Sequence, residues 1–161
     1  MNKLSLRVLI VDDNKDYRQL IRWALTSALE HVVIQEMTTG QELVDWLAHH
    51  RKQSTAEQMA DKCLVTIILL DMHMPGLSGL DTLQSLGDMS DLPYMPVVML
   101  TATLCDQLKH QAYNQGIHLY MVKPIEIGGF YRVVEAVKLC YRDMLRRWEQ
   151  QEVPPLGSTY H

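Results

Sequence analysis

The chain has 161 residues, of which 47% are hydrophobic and 21% are charged, and its formal charge is −4 at pH 7. This length is typical of a single domain, and the composition excludes an intrinsically disordered or a collagen-like chain. The negative charge argues against a non-specific nucleic-acid binder, so we predict no nucleic-acid partner.

Short apolar and β-branched runs alternate along the chain with segments whose apolar residues recur at helical spacing. The runs predict five strands, over residues 6–11, 31–37, 64–70, 96–100 and 117–122. The helical spacing predicts five helices, over residues 14–29, 39–50, 79–89, 104–115 and 127–150. We expect Thr39 to cap the second helix and Gly116 to end the fourth. Strands that alternate with helices indicate an α/β fold with a doubly wound parallel sheet.

One domain is predicted over residues 1–150, with a polar insertion at 51–62 and a long final helix. Residues 151–161 contain two prolines and a glycine, which predicts a disordered tail. Three well-separated cysteines lack zinc-binding spacing, so we predict reduced thiols in a cytoplasmic protein. The longest nearly apolar run, 63–70, is shorter than the roughly 20 residues of a membrane span, so no membrane insertion is expected.

Polar or charged residues follow four of the five predicted strands. Asp12 and Asp13 follow the first strand, and Asp71 follows the third. Thr101 follows the fourth strand and Lys123 follows the fifth. Because the carboxyl ends of parallel strands meet at one edge of a sheet, these side chains should converge. Crowded carboxylates repel one another unless a hard divalent cation such as Mg²⁺ lies among them. With a lysine and a hydroxyl nearby, such a site is also suited to accept a phosphoryl group on a carboxylate.

Four motifs at these strand ends resemble the receiver domain of bacterial two-component response regulators. They are DD at 12–13, LLDMHMPGLSG at 69–79, MLTA at 99–102 and YMVKP at 120–124. The resemblance covers about residues 5–145. It implies a flavodoxin-like strand order, 2-1-3-4-5, and a phosphorylation switch rather than an enzyme. It also implies that a sensor histidine kinase phosphorylates Asp71 in a Mg²⁺-dependent reaction.

The resemblance further implies roles for individual residues. Mg²⁺ would be held by Asp12, Asp13 and Asp71 together with the backbone carbonyl of His73. Lys123 would contact the phosphoryl group, Thr101 would be the switch hydroxyl and Tyr120 the switch aromatic. The Lys123–Pro124 peptide bond would be cis, and the surface of the fourth helix, fifth strand and fifth helix would carry the signal. The insertion and the long final helix are also similar to small receiver-only regulators that partner bacterial phytochromes.

Several alternatives remain open from the sequence. The aspartate pair at 12–13 also suits an ordinary strand-to-helix junction, and His73 is either a solvated loop residue or a group that affects the attack of water. A dehalogenase-type phosphohydrolase would need a second aspartate where His73 stands. A flavin-binding protein would need a neutral phosphate loop after the first strand. A receiver domain cut from a longer regulator or hybrid kinase is a further possibility.

The final helix predicts a partner surface. At 24 residues it would be about 36 Å long, longer than a small sheet can cover. Its last turns would then expose an apolar stripe, formed by Tyr141, Met144, Leu145 and Trp148. We expect a homodimer through this surface. The alternatives are a monomer that offers it to another protein and a Trp148 that folds back on its own domain.

Overall fold

The computed structural model describes residues 5–50, 64–89 and 92–150. Within them, five strands alternate with five α-helices. The strands are β1 Ser5–Val11, β2 Val33–Met37, β3 Leu64–Asp71, β4 Val97–Thr101 and β5 Leu119–Val122. The helices are α1 Lys15–Ala28, α2 Gly40–His50, α3 Gly79–Gly87, α4 Asp106–Asn114 and α5 Tyr131–Gln150, the last preceded by a 3₁₀ turn, Ile127–Phe130.

The five strands form one parallel sheet in the order β2-β1-β3-β4-β5, as predicted. Val11, the last residue of β1, lies opposite Met37 of β2 and Leu70 of β3. Asp71 lies opposite Leu100, next to the end of β4. The carboxyl ends of the central strands therefore finish at nearly the same level, and the residues that follow them share one edge of the sheet.

Helices cover both faces of the sheet, and the strands feed the two layers alternately. Val8 and Ile10 of β1 pack into a layer with α1 and α5. Leu9 and Val11 pack into the opposite layer with α2, α3 and α4. Side chains alternate between the faces of a strand, and both faces are apolar here, so the strands appear in the sequence as continuous apolar runs.

The helix ends follow the local capping chemistry of the sequence. The side chain of Asn14 accepts a hydrogen bond from the backbone N–H of Tyr17 and begins α1. Thr39 Oγ1 accepts from the N–H of Glu42 at 3.0 Å, which confirms the predicted cap of α2. Gly116, with φ of +94°, ends the turn after α4 in the left-handed conformation that glycine favours.

The final helix lies closer to the sheet than the sequence predicts. Met144 is 6% exposed and belongs to the apolar layer of α1 and α5. Tyr141 is half-buried and packs against the same layer, and Leu145 is also half-buried. The expectation that this stripe projects beyond the core is wrong for Met144. The side chain of Trp148 lies outside the described residues.

The physical reason is the length of the sheet relative to the part of the helix that precedes Met144. Gly128 and Gly129 disfavour α-helix, and the chain forms a 3₁₀ turn there, so α5 begins at Tyr131 rather than at residue 127. From Tyr131 to Met144 the helix rises about 20 Å. The eight-residue β3 spans about 26 Å. The sheet is therefore long enough to cover the helix as far as Met144.

Some predictions fall on residues outside the described part of the chain. These are the insertion at 51–62, the tail at 151–161 and the state of Cys63. Within the described part, Cys105 and Cys140 are free thiols. No helix of that part is both long enough and apolar enough to cross a membrane.

Candidate functional site at the carboxyl edge of the sheet

The end of the sheet brings together the charged residues that the sequence places after β1, β3 and β5. Lys123 Nζ lies 2.7 Å from Asp12 Oδ2 and 3.1 Å from Asp71 Oδ2. Carboxylate oxygens of Asp12, Asp13 and Asp71 all lie within 4.8 Å of one another. The predicted convergence is therefore present, with one ammonium bridging two of the three carboxylates.

The three aspartates differ in how firmly they are held. Asp12 is 2% exposed and Asp71 is 4% exposed. The Oδ1 atom of Asp12 accepts a hydrogen bond from the N–H of Asn14 at 2.9 Å, and that of Asp71 accepts from the N–H of His73 at 3.2 Å. Asp13 is exposed. The site thus has two buried, oriented carboxylates and a third at its open side.

Burial and mutual repulsion make this cluster electrostatically unusual. Burial, followed by the nearby charge of Asp12, raises the pKa of Asp71, and Lys123 offsets only part of that effect. Burial alone would lower the pKa of Lys123, but its hydrogen bond and attraction to Asp12, followed by Asp71, raise it overall. Crowded oxygen donors of this kind suit a hard divalent cation, and three carboxylates match the ligand chemistry of Mg²⁺.

Thr101 ends β4 beside the cluster and is fully buried. Its hydroxyl donates a hydrogen bond to the carbonyl of Thr103 at 2.8 Å, so the hydroxyl is held within its own loop. The backbone carbonyl of Thr101 accepts a hydrogen bond from the N–H of Lys123 at 2.7 Å. The ends of β4 and β5 are therefore joined directly next to the charged groups.

Tyr120, the predicted switch aromatic, points into the core in this structure. It is 9% exposed and packs in the layer of α2, α3 and α4. Its backbone N–H donates to the hydroxyl of Tyr113 at 3.2 Å. Its own hydroxyl is buried and has no hydrogen-bond partner among the described residues. A buried hydroxyl without a partner is unfavourable, so this inward position carries a cost that another position could relieve.

Two sequence expectations at this edge have different outcomes. The Lys123–Pro124 peptide bond is trans, so the expected cis bond is wrong. Even before proline the trans form is favoured by about 0.5–1 kcal/mol, and nothing in this sequence by itself specifies cis. His73 is exposed, in agreement with its predicted position at the mouth of the site.

Sequence reasoning missed Gly79, which supports the Asp71 backbone. A Cβ atom at this position would lie 2.7 Å from the carbonyl oxygen of Asp71 and 2.9 Å from Cα of Met72, closer than real Cβ atoms approach. The N–H of Gly79 donates to the carbonyl of Met72 at 2.8 Å. Glycine therefore lets α3 begin directly against the end of β3. The only sequence signal was the glycine after Ser78, which caps α3.

Sequence reasoning also missed Tyr17, in the first turns of α1. Its ring centroid lies 4.6 Å from Lys123 Nζ and 5.2 Å from the ring of Phe130. These partners come from distant parts of the chain, so no local pattern could have indicated the contact. The cluster therefore contains an aromatic face as well as the predicted charges.

Comparison with known proteins identifies the family of the chain. The family model of the response regulator receiver domain matches residues 8–135. The chain belongs to this family. The receiver domain is also similar to the chemotaxis protein CheY-3 of Vibrio cholerae, with 29% identity over 124 residues, which cover 77% of this chain and 84% of that protein.

Two solved structures share the fold of this receiver domain. The phosphorylated cyanobacterial phytochrome response regulator RcpA matches with a TM-score of 0.68 and 22% identity, covering 83% of this chain and 91% of that one. The Mn²⁺-bound form of the response regulator Rcp1 matches with a TM-score of 0.64 and 21% identity, covering 82% and 91%. The family match confirms the receiver prediction. At 22% and 21% identity, the two structures show that the likeness to phytochrome-type regulators holds for the fold alone.

Proposed function

We propose that this receiver domain accepts a phosphoryl group from a sensor histidine kinase on Asp71. The observation that carries the proposal is the buried Asp71 carboxylate, which lies 3.1 Å from the Lys123 ammonium and beside two further aspartates. A carboxylate oxygen of Asp71 forms a bond to phosphorus while the phosphorus–nitrogen bond of the donor phosphohistidine breaks. The imidazole nitrogen keeps the electron pair. Such a loose transition state depends on position and charge, which the cluster supplies.

Mg²⁺ is the cofactor that we assign to the site. Asp12, Asp13, Asp71 and the backbone carbonyl of His73 would hold it, directly or through water. When bound, the ion supplies positive charge for the phosphoryl oxygens. Asp12 is 2% exposed and its Oδ2 lies 2.7 Å from the Lys123 ammonium, whereas Asp13 is exposed at the open side of the site. We therefore infer that Asp13 contacts the ion directly and that Asp12 acts through water.

The switch begins at Thr101. A phosphoryl group on Asp71 adds negative charge and acceptor oxygens next to this residue. The Thr101 hydroxyl then exchanges the Thr103 carbonyl for the phosphoryl group. Tyr120 changes position with it, since its buried hydroxyl has no partner in the inward position among the described residues. The result is a shift between two states of the α4-β5-α5 face rather than turnover of a separate substrate.

The output that we propose is homodimerisation through the α4-β5-α5 face. Each of the three elements carries a large apolar side chain that is about 40% exposed, namely Tyr113, Val122 and Leu139. Tyr141 and Leu145 add half-buried area, and Trp148 completes the predicted set. Met144 supports this helix from the core side. Free Cys105 and Cys140 support a reducing, cytoplasmic location for the switch.

The phosphoacceptor is tested by incubation with Mg²⁺ and a panel of phosphorylated histidine kinases. Wild type should gain an acid-stable, base-labile phosphate, and Asp71→Asn should gain none. Asp88→Asn, an exposed aspartate after α3, is the matched control and should be labelled like wild type. Full labelling of Asp71→Asn would overturn the assignment.

Dimerisation is tested by sedimentation with and without beryllofluoride, in wild type and in Trp148→Ala and Val122→Arg. We expect association on addition of beryllofluoride in wild type and weaker association in both variants. A wild type that remains monomeric in both states at high micromolar concentration would contradict the proposed dimer. It would not affect the assignment of Asp71 as the phosphoacceptor.

A further inference from the structure

The ammonium group of Lys123 is enclosed on three sides. Two sides are the carboxylates of Asp12 and Asp71, at 2.7 Å and 3.1 Å. The third is the ring of Tyr17, whose centroid lies 4.6 Å from Nζ. An ammonium has three N–H donors and a flexible four-carbon stem. An aromatic face within about 6 Å attracts such a cation, so the ring adds a third contact to the two ion pairs.

Packing fixes the position of the Tyr17 ring. The ring is tilted by 50° against Phe130, with 5.2 Å between their centroids. Phe130 is 2% exposed and ends the 3₁₀ turn before α5. The Tyr17 hydroxyl is buried and has no hydrogen-bond partner among the described residues. The ring is therefore held by its apolar faces, and the hydroxyl contributes no anchor of its own.

We propose that Tyr17 is a positioning residue, whose ring holds the Lys123 ammonium against the Asp71 carboxylate. This inference rests on the proposed phosphoryl transfer to Asp71. Without the ring, the lysine side chain can leave the acceptor and occupy the adjacent groove, which has a volume of about 290 Å³ and is lined by Asn14, Ala102 and Pro124. The ring thus holds the Lys123 ammonium toward the Asp71 carboxylate, whereas the lysine side chain would otherwise sample several rotamers.

The test compares ring-containing and ringless variants in phosphorylation by acetyl phosphate with Mg²⁺. Tyr17→Leu should lower the rate by about two- to thirtyfold, the range that corresponds to a cation–π contact. Tyr17→Phe keeps the ring and should rescue the rate that the leucine variant loses. Tyr17→Met, with a flexible side chain that can fill the same space, is a second ringless variant in case leucine prevents folding.

A background without the lysine separates positioning from a structural role. In Lys123→Met, replacement of Tyr17 by leucine should cause no further decrease in rate, because the group that the ring positions is gone. A merely structural tyrosine would lower the rate in both backgrounds, and that result would overturn the inference. A wild type that neither acetyl phosphate nor phosphorylated histidine kinases modify at Asp71 would instead contradict the proposed function.

Nuclear magnetic resonance tests the geometry without reference to activity. The ε-methylene protons of Lys123 should be shifted upfield by the ring current in wild type and in Tyr17→Phe. The shift should be absent in Tyr17→Leu and Tyr17→Met. Random-coil values for these protons in folded wild type would overturn the inference, as would equal phosphorylation rates in wild type and both ringless variants.

Discussion

The two ends of the sheet carry polar clusters of opposite character. At the carboxyl end, three carboxylates lie around one ammonium, and the Lys123 side chain is 18% exposed. At the amino end, His118 Nε2 lies 2.8 Å from Asp143 Oδ2, and Tyr94 Oη lies 3.3 Å from His118 Nδ1. The guanidinium of Arg147 covers the Tyr94 ring at 4.4 Å. The amino-end groups pair with one another, whereas the carboxyl-end groups leave negative charge in excess.

The balance of charge differs between the two clusters and supports the proposed reaction site at the carboxyl end. Paired groups stabilise the fold by tying α5 to the loops before β4 and β5, and they need nothing further. Excess buried charge costs stability unless a cation or another reaction partner arrives. Imbalance of charge, rather than the presence of polar residues, therefore distinguishes the carboxyl end, where we propose the reaction site. Variants at both ends can test this contrast, and we expect their effects to range from a thousandfold change in rate to about 1 kcal/mol in stability.

The two free thiols of the described residues, Cys105 and Cys140, differ in burial and can be compared by their reactivity. Burial, followed by the charge of Asp143, raises the pKa of the Cys140 thiol to about 12. At pH 8, in a variant with Cys63 and Cys105 replaced by serine, we expect folded Cys140 to react with iodoacetamide about a thousandfold more slowly than in urea. Cys105, half-buried in the loop after β4, is the control: in a second variant, with Cys63 replaced by serine and Cys140 by alanine, it should react in the folded state. Equal rates for Cys140 in the folded and unfolded protein would contradict its burial.

Because the folded-state pKa of Cys140 lies above its unfolded value, the thiol contributes stability that is present at lower pH. That contribution should be lost as the pH rises from about 9 to about 12, which urea titrations in that range can measure. A Cys140→Ala variant is the control and should lack this part of the pH dependence.

Removal of the Lys123 ammonium from the carboxyl-end cluster should be strongly destabilising. Without Mg²⁺, we expect Lys123→Met to lower the free energy of unfolding in urea by about 3 kcal/mol, because it leaves buried carboxylates uncompensated. Mg²⁺ should recover part of the loss by supplying positive charge. Lys138→Met, which removes an exposed lysine 3.5 Å from Glu135, is the control and should change stability by less than about 0.5 kcal/mol. Equal losses of unfolding free energy in Lys123→Met and Lys138→Met would contradict the idea that only the carboxyl-end cluster depends on a compensating buried charge.

Asp13 tests the assignment of the metal ligands. Asp13→Ala should weaken Mg²⁺ binding by at least about tenfold in calorimetric titration, because a direct carboxylate ligand is lost. Asp16→Ala changes a nearby aspartate in the first turn of α1 and should bind like wild type. An unchanged affinity in Asp13→Ala would show that Asp13 does not contact the ion.

The amino-end network should give the smallest effect. His118→Leu removes the hydrogen bonds to Asp143 and Tyr94, and it should lower the free energy of unfolding by about 1 kcal/mol. The loss is moderate because the Asp143 side chain is 31% exposed and can be hydrated. His110→Leu changes an exposed histidine of α4 and is the control. A loss as large as that of Lys123→Met would mean that both ends hold comparable buried charge.

Local patterns were sufficient to predict the α/β fold class and the charged part of the site, and the resemblance to receiver domains implied the strand order. Apolar runs bounded by aspartate, threonine or lysine determine where each strand ends and which polar group stands at that end, so Asp12, Asp71 and Lys123 could be placed together. Contacts between distant segments left no such pattern, and the ring of Tyr17 beside Lys123 was missed for that reason. The exposure of Met144 was predicted wrongly because the sheet is long enough to cover the helix as far as that residue. The polar insertion at 51–62 and the disordered tail at 151–161 stay predictions, because both lie outside the described residues.

The hydrogen bond from Gly79 to Met72 closes the base of the loop between β3 and α3. Inside that closed ring, the turn at Pro75 and Gly76 is exposed, and the space around Gly76 is open. A dye or short peptide attached at a cysteine in place of Pro75 would lie on the loop that follows Asp71, the proposed phosphoacceptor. Gly76 itself is a poorer graft point, because its φ of +76° disfavours any side chain. The loop thus offers an attachment point for an optical reporter of the proposed phosphorylation.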